Sequence, residues 1–591
     1  MARKENKEEV EQPQYDDGSI PTFMGAHGNK LVWLISATAT TGFLLFGYDQ
    51  GVMAGLITSE QFGDTFPAVN PSYQHDKFGY SDTTDSVVPT NTPAHSRAAL
   101  IQATYTSIYE VGCLLGALGA LLFGDWMGRR RMMFTGAGVM VIGTIIQVTA
   151  FRGHHAPEQF CVGRVITGVG NGLNTSTIPS WQAETSKSHN RGVLVCIEAS
   201  MIAIGTVISY WIDVGLSYNY DPADVTWRFP IAFQIAFAFG LVGGALFLPE
   251  SPRWLLSKGR EDEGRRVVAA LNSVPVDSAE AHHHTNIMAD GIRLMTETQG
   301  AARRRDVLTG GKTQHLRRTL LGASSQVFQQ IGGCNAVIYF SPLIFEEYLG
   351  LERKLALILA GVNISVYALC ACISYFIIEK VGRRKMFLVG SVGQAMSMFI
   401  LMGCTIPFGL EGPTDHAQNV LNGSVLGQFL FLAFFGATWL ELPWLYPAEI
   451  NPLRIRTNAN AISTMSNWSW NFAVVQWTPP MLAAINWGTF LFFGIINVCF
   501  IPIVLFFYPE TAGRSLEEID VIFALGYTEG RSYVSVANSM PKLSSEEVKA
   551  EAARLGLTSD AKDVEQEGEA ANLPAYLVNE EADRQAIPKG G

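Results

Sequence analysis

Charge is what this sequence lacks. Asp, Glu, Lys and Arg make up 16% of its 591 residues, against about 25% in an average soluble protein. Cysteine is scarce as well. The eight cysteines, at 113, 161, 196, 334, 370, 372, 404 and 499, all fall inside apolar runs. That excludes a disulfide framework and reads as buried small hydrophobes. There is no basic stripe with interleaved aromatics, which excludes nucleic acid as a partner. The opening MARKENKEEVEQPQYDD is polar, and the first apolar run follows without a small-residue cleavage pattern. No cleavable signal peptide is therefore expected. The net charge of −11 does not describe a surface, because the charge sits in tails and loops. Ser515 to Gly591 carries much of the acidity and reads as a solvated tail rather than a binding surface.

What is present is repetition. Gly128-Arg129-Arg130 returns as Gly382-Arg383-Arg384. Glu184 with Arg191 returns as Glu449 with Arg456, and Pro249-Glu250-Ser251 as Pro509-Glu510-Thr511. Three matches in one order mean an internal duplication of about 260 residues, far too long for a solenoid repeat. Each copy is rich in apolar runs, so the chain reads as two homologous halves of a membrane transporter. The 57 glycines suit packed transmembrane helices.

Apolar stretches of spanning length lie near 31–56, 98–124, 132–151, 158–180, 192–216 and 229–248. A second six lie near 317–346, 354–378, 386–407, 423–447, 457–481 and 486–508. Basic residues cluster at Arg129 to Arg131, between the sixth and seventh stretches, and at Arg383 to Lys385. All three loops fall on one side, which makes that side cytoplasmic and places both termini there. The domain reading is a cytoplasmic tail at 1–30, a six-helix bundle at 31–248, a cytoplasmic helical linker domain at 249–316, a second bundle at 317–508 and a tail at 509–591. Within the linker, Ser251 to Asn272 reads as one amphipathic helix with Trp254, Leu255, Val267, Val268 and Leu271 on its buried face. His282-His283-His284 reads as a solvated turn rather than a metal site, since no Cys or carboxylate cluster accompanies it. Asn422-Gly423-Ser424 is a glycosylation sequon on the expected outer face.

Ionisable residues inside spans are costly and usually functional. Asp49 lies in the first span and Arg164 in the fourth. They read as a protonation switch, with a static ion pair as the alternative. The seventh span carries Gln326, Gln329, Gln330 and Asn335. Amides donate and accept, which suits a hydroxyl-rich solute better than mere packing between helices. Trp444, Asn467, Trp468 and Asn471 cluster in the tenth and eleventh spans, where aromatic faces stack on sugar rings. Trp439 and Trp477 read as packing or interfacial-belt residues. Glu184 and Arg191, Glu449 and Arg456, Asp125 and Arg129, and Glu379 and Arg383 fall at cytoplasmic span ends. They are either a gate network between the halves or static anchors.

These residues resemble the sugar porter branch of the major facilitator superfamily. The matching motifs are GDWMGRRR (124–131), RVITGVGNG (164–172), PSWQAETSKSHNRG (179–192), PESPRWL (249–255), QQIGGCNAVIYFSP (329–342), EKVGRR (379–384), PAEINPLRIR (447–456), NWSWN (467–471) and PETAGRSLEE (509–518), spread over about residues 30–520. FGYDQGVMAGLIT and RGVLVCIEASMIAIGTVISYWID look most like fungal sugar and glycerol–proton symporters. The resemblance implies that Gln326, Gln329, Gln330, Asn335, Trp444, Asn467, Trp468 and Asn471 contact the solute. It also implies that Asp49 couples the proton, with Arg164 as its partner. One departure stands out. Where the family has a fifth-span glutamine, this chain has Ala199, preceded by Glu198. One hexose-binding amide is thereby lost, so a pentose, a polyol or a differently held hexose becomes plausible, and Glu198 either replaces that amide or titrates.

The resulting expectation is an all-α membrane protein of twelve transmembrane helices in two six-helix bundles. It moves a sugar or polyol by alternating access, coupled to protons, as a monomeric unit in the plasma membrane. It needs no cofactor or metal and catalyses no covalent chemistry. An uncoupled facilitator and a non-transporting sensor are the alternatives, the second weakened by a tail of only 80 or so residues.

Overall fold

The computed structural model describes residues 20–57, 59–70, 93–186, 191–220, 223–299, 304–348, 351–411, 420, 422–452 and 454–557. It divides into two compact units. One comprises residues up to Thr309 together with His315–Gly513; the other comprises Gly310–Gln314 with the segment from Arg514 onward.

Twelve spans build the first unit. The first six are Gly28–Leu56, Pro93–Met127, Arg129–Val148, Ala156–Thr185, Arg191–Tyr220 and Val225–Phe247. The seventh is broken into His315–Ile331 and Cys334–Leu343, and closes with a π-turn at Ile344–Tyr348. The eighth and ninth are Arg353–Val381 and Arg383–Glu411. The tenth runs as Ser424–Phe434, a π-turn at Phe435–Trp439 and Leu442–Ile450. The last two are Arg456–Ile485 and Trp487–Phe507. Among the described residues there is no strand beyond one isolated bridge between Phe23 and Ala26. Nine of the spans are long and apolar enough to cross a bilayer by length and composition. Among the described residues the fourth and eleventh fall short because they carry buried polar residues, and the seventh because it is broken into helices of 17 and 10 residues.

Polarity is reversed relative to a water-soluble protein. Phe123, Phe134, Phe239, Phe247, Leu369, Phe376 and Phe506 are exposed on the outside of the bundle, while Arg164, Asn171, Asn335 and Asn471 are fully buried. In lipid, helices associate by close packing rather than by hydrophobic exclusion, which favours small residues at contacts. The seam between the second and fourth spans is built that way. Gly112 and Gly116 face Gly168 and Gly172, and an added Cβ at any of the four would lie 2.1–2.2 Å from a backbone oxygen of the opposing span. No side chain fits there, so the two backbones are locked in register.

The duplicated motifs meet at one end of the bundle. In the first half the Glu250 carboxylate accepts from the backbone N–H groups of Arg129 and Arg130, each at 3.1 Å. In the second half Glu510 accepts from Arg383 at 2.9 Å and Arg384 at 3.1 Å. Each carboxylate caps the N-terminus of a span, where free N–H groups and the helix dipole favour a negative charge. Glu510 also accepts from the N–H groups of Thr511 and Ala512, both at 3.0 Å. Glu510→Ala strands four donors, and the expected loss is about 2 kcal/mol. A lowered melting temperature of detergent-purified protein is the readout; an unchanged one would show that water replaces the carboxylate.

The linker differs from the expected single helix. Pro252–Ser257 and Glu261–Asn272 are separate helices. The first ends in a cap in which Arg260 N–H reaches back to Leu255 O at 3.0 Å around Gly259, whose φ of +72° ends the α-helix. The three histidines lie within the helix Ala279–Gln299, not in a turn. No group of three or more metal-ligating side chains occurs among the described residues.

The second unit corrects the reading of a solvated tail. Up to residue 557 it folds into the helices Leu516–Thr528, Tyr533–Ser539 and Ser545–Arg554. Val521, Ala524, Val548 and Leu555 form its core. Capping boxes at Ser515/Glu518 and Ser544/Glu547 start two of these helices. Backbone and hydroxyl hydrogen bonds from Ser544 hold Glu547 below the usual carboxylate range. Gln314 donates to Phe523 O at 2.8 Å and Lys312 to Leu555 O at 2.9 Å, which ties the short Gly310–Gln314 segment into this unit.

Candidate functional site

Seven buried amide side chains converge between the two halves at mid-length of the spans. The seventh span supplies most of them because it is interrupted at Gly332–Gly333, where Gly333 has φ +97° and a Cβ would lie 2.8 Å from the Phe493 ring. Only glycine fits, and the break aims Asn335 inward. Asn335 is the hub: its Nδ2 donates to Gln330 Oε1 and Asn471 Oδ1, both at 2.6 Å. Its Oδ1 accepts from Gln50 Nε2 at 2.6 Å. Gln330 continues to Gln329 Oε1 at 3.2 Å. Asn467 Nδ2 donates to Gln326 Oε1 at 2.6 Å and to Gln329 Oε1 at 2.9 Å. The free ends of Gln326 and Gln329 are anchored on the opened backbone of the tenth span, at Pro443 O (2.7 Å) and Trp439 O (2.8 Å). Those carbonyls are available because the residues four positions on from Trp439 and Pro443 are Pro443 and Pro447, which have no N–H to donate.

Asn467 Oδ1, Asn471 Nδ2 and Trp468 Nε1 are buried and make no hydrogen bond within the protein. A donor, an acceptor and an indole N–H are thus presented beside an apolar wall. Trp468 packs edge-on against Phe46 at 5.1 Å, and half-buried Trp444 against Phe43 at 5.8 Å. All eight residues expected at the solute site are therefore gathered into one region. Gln50, which is not among the residues expected from sequence, brings the first half into the amide chain. Its position next to Asp49 was the available signal. Trp439 is a packing residue: it is buried and its N–H donates to Phe387 O at 3.1 Å.

Asp49 and Arg164 form a fully buried ion pair of 3.1 Å. Arg164 also donates to Thr106 O at 3.3 Å and lies 4.6 Å over the Tyr109 ring. Ala199 is buried next to Glu198, whose two carboxylate oxygens are buried without a hydrogen bond. The neighbouring Ser200 donates to Ala371 O at 3.3 Å and to Glu441 at 3.4 Å.

At the arginine-rich end, Arg129 binds Glu184 at 2.9 Å and Asp125 at 3.6 Å. Arg383 binds Glu379 and Glu449, both at 2.7 Å. These ion pairs each join residues of one half. Arg456 donates to Asn451 O at 3.1 Å, and the side chain of Arg191 lies outside the described residues. Besides the Ser200 bonds, which lie nearer this end, further bonds between the halves lie toward the opposite end. Arg353 donates to Gly55 O at 3.2 Å, Trp211 to Ser365 at 3.0 Å, Ser107 to Gln476 at 2.6 Å, and Tyr210 to Ile338 O. A cavity of about 820 Å³ also lies at the arginine-rich end, lined by Arg130, Arg131, Arg260 and Arg266 among others, away from the amides. All eight cysteines are free, and Cys372 and Cys499 are exposed rather than buried, on helices whose outer face is apolar.

Two matched sets of six spans around a buried, partly unsatisfied polar centre define a membrane carrier for a polar solute. Residues 34–523 match the family model for "Sugar (and other) transporter", and the chain belongs to that family. It is 44% identical to the sugar transporter STL1 of Saccharomyces cerevisiae, over 92% of this chain and 90% of that one. It is 42% identical to the major facilitator superfamily transporter mfsA of Aspergillus fumigatus, over 91% and 94%. The fold is similar to that of the proton:xylose symporter XylE bound to 6-bromo-6-deoxy-D-glucose, with a TM-score of 0.68, 23% identity, and 84% of this chain and all of that one covered. It is likewise similar to a partially occluded, inward-open XylE from E. coli, with a TM-score of 0.64, 22% identity, and 82% of this chain and all of that one covered. The protein is a multi-pass membrane transporter with the twelve-helix major facilitator fold, and its family is one of carriers, not enzymes.

Proposed function

We propose that the protein takes up a sugar or polyol across the plasma membrane by alternating access, driven by proton entry. The observation that carries this reading is the amide chain from Gln50 in the first half through Asn335 to Asn467 and Asn471 in the second. A solute held by those groups contacts both halves, so its binding free energy depends on how the halves are placed. The buried Asp49–Arg164 pair, one residue from Gln50, supplies a titrating group within reach of the same site. The basic loops favour a cytoplasmic arginine-rich end. In that orientation, the bonds toward the opposite end support a carrier closed to the outside. The carriers of similar sequence and fold include one named for sugar and one for xylose with protons. Ala199 in place of an amide shifts the expectation toward pentoses and polyols.

Purified protein in sealed vesicles tests this. Labelled D-glucose, D-xylose and glycerol are offered with and without an inward proton gradient. The gradient is expected to drive accumulation of at least one above equilibrium, abolished by a protonophore. Equilibration at the same level in both conditions means a facilitator, and no movement of any solute in vesicles or in a carrier-null cell favours a sensor.

A further inference from the structure

A second carboxylate shares the charged centre. Glu110, in the second span, is fully buried. Its Oε1 accepts from the hydroxyl of Tyr339 at 2.8 Å, and its Oε2 is buried with no hydrogen bond. Glu110 belongs to the first half and Tyr339 to the second, so this bond crosses the interface that alternating access has to open. We propose that Glu110 is a second proton-coupling residue of the carrier, switched by whether Tyr339 is docked on it; this rests on the proton-symport reading above.

Charge counting supports the role. The groups around Glu110 are Asp49 on the first span, Tyr109 and Cys113 on its own span, Arg164 on the fourth and Tyr339 on the seventh. The eleventh span adds Trp468, 6.4 Å from Tyr109, and its one charged residue, Arg456, is at its far end. One guanidinium therefore serves two buried carboxylates, and it is already ion-paired with Asp49. An uncompensated charge at this depth is costly, so the cluster holds one proton between Asp49 and Glu110 and titrates as a unit.

The seventh span supplies the link to the solute. Asn335 and Tyr339 are four residues apart, so they share a face of the short helix Cys334–Leu343, which the glycine break separates from the rest of the span. A solute that engages Asn335 acts on the same ten-residue helix that carries Tyr339. When Tyr339 leaves, Glu110 loses a donor that favours its ionised form. Solute binding, closure at the outer end and proton occupancy are thereby connected through one element.

The test compares Glu110→Gln, Tyr339→Phe and Asp49→Asn with wild type in energised cells. It uses whichever of D-glucose, D-xylose and glycerol the wild type concentrates. Surface abundance, solute-driven proton uptake and the pH profile of the half-saturation constant are measured. Glu110→Gln is expected to keep solute exchange but lose accumulation and the acid dependence of affinity. Tyr339→Phe removes the switching hydroxyl and is expected to weaken accumulation while its pH midpoint moves to the alkaline side. If Glu110→Gln concentrates solute with a wild-type profile while Asp49→Asn does not, this proposal falls and symport stands. If the wild type takes up no protons with solute, symport and this proposal fall together. Should Glu110→Gln not reach the membrane, Tyr339→Phe decides: an unmoved pH profile overturns the proposal and a shifted one upholds it.

Discussion

Asp49→Asn is expected to abolish accumulation of solute against a gradient while leaving exchange and downhill flux intact. The amide keeps the shape of the carboxylate and can still meet Arg164, 3.1 Å away, but it cannot take or release a proton. It imitates a permanently protonated carboxylate, so the carrier loses its drive and not its solute site. A purely structural pair gives a different outcome. Arg164 would then lose its ion-pair partner in a fully buried position, at a cost of about 3–5 kcal/mol, and little protein would remain in the membrane. Solute-driven proton uptake, normalised to surface abundance, separates the two. A mutant that still concentrates solute and still takes up protons eliminates Asp49 from coupling.

Asn335→Ala is expected to give the largest loss of affinity of any single change in the amide chain. Asn335 makes three hydrogen bonds of 2.6 Å, to Gln50, Gln330 and Asn471. Its removal strands one amide from the first half and two from the second. Each buried polar group left unpaired costs about 1–3 kcal/mol, so the half-saturation constant should rise roughly ten- to a hundredfold. Transport kinetics at matched abundance are the measurement. Unchanged half-saturation would remove Asn335 from the solute site and reduce the chain to a packing device.

The two-halved, twelve-span plan was legible because apolar runs and a duplicated set of motifs both mark it. Among the charged motifs, Asp125 with Arg129 and Glu379 with Arg383 were legible as partners, whereas Glu184 with Arg191 was not. Glu184 and Arg191 are close in sequence, yet the pairing of Glu184 with Arg129 depends on how two helix ends meet. The amides of the seventh span were found by type and density. Helical periodicity alone does not relate Asn335 to Gln330, because the break at Gly332–Gly333 resets the phase between them. Gln50 and Glu110 escaped for a common reason: what makes each consequential is a neighbour contributed by the other half. The folded tail escaped because Val521, Ala524, Val548 and Leu555 are spread thinly through a charged segment, and a core that small leaves little trace in composition.

The glycine seam bears on which partner of the buried ion pair is free to move. Four glycines fuse the second and fourth spans into a single stiff beam, and Arg164 is bolted to it, one turn before Gly168, by Thr106 O and the Tyr109 ring. If the pair separates during transport, Asp49, on the first span outside this seam, is expected to be the partner that moves. A cross-link between the second and fourth spans should then leave turnover untouched, whereas one that pins the first span to either of them should stall the machine.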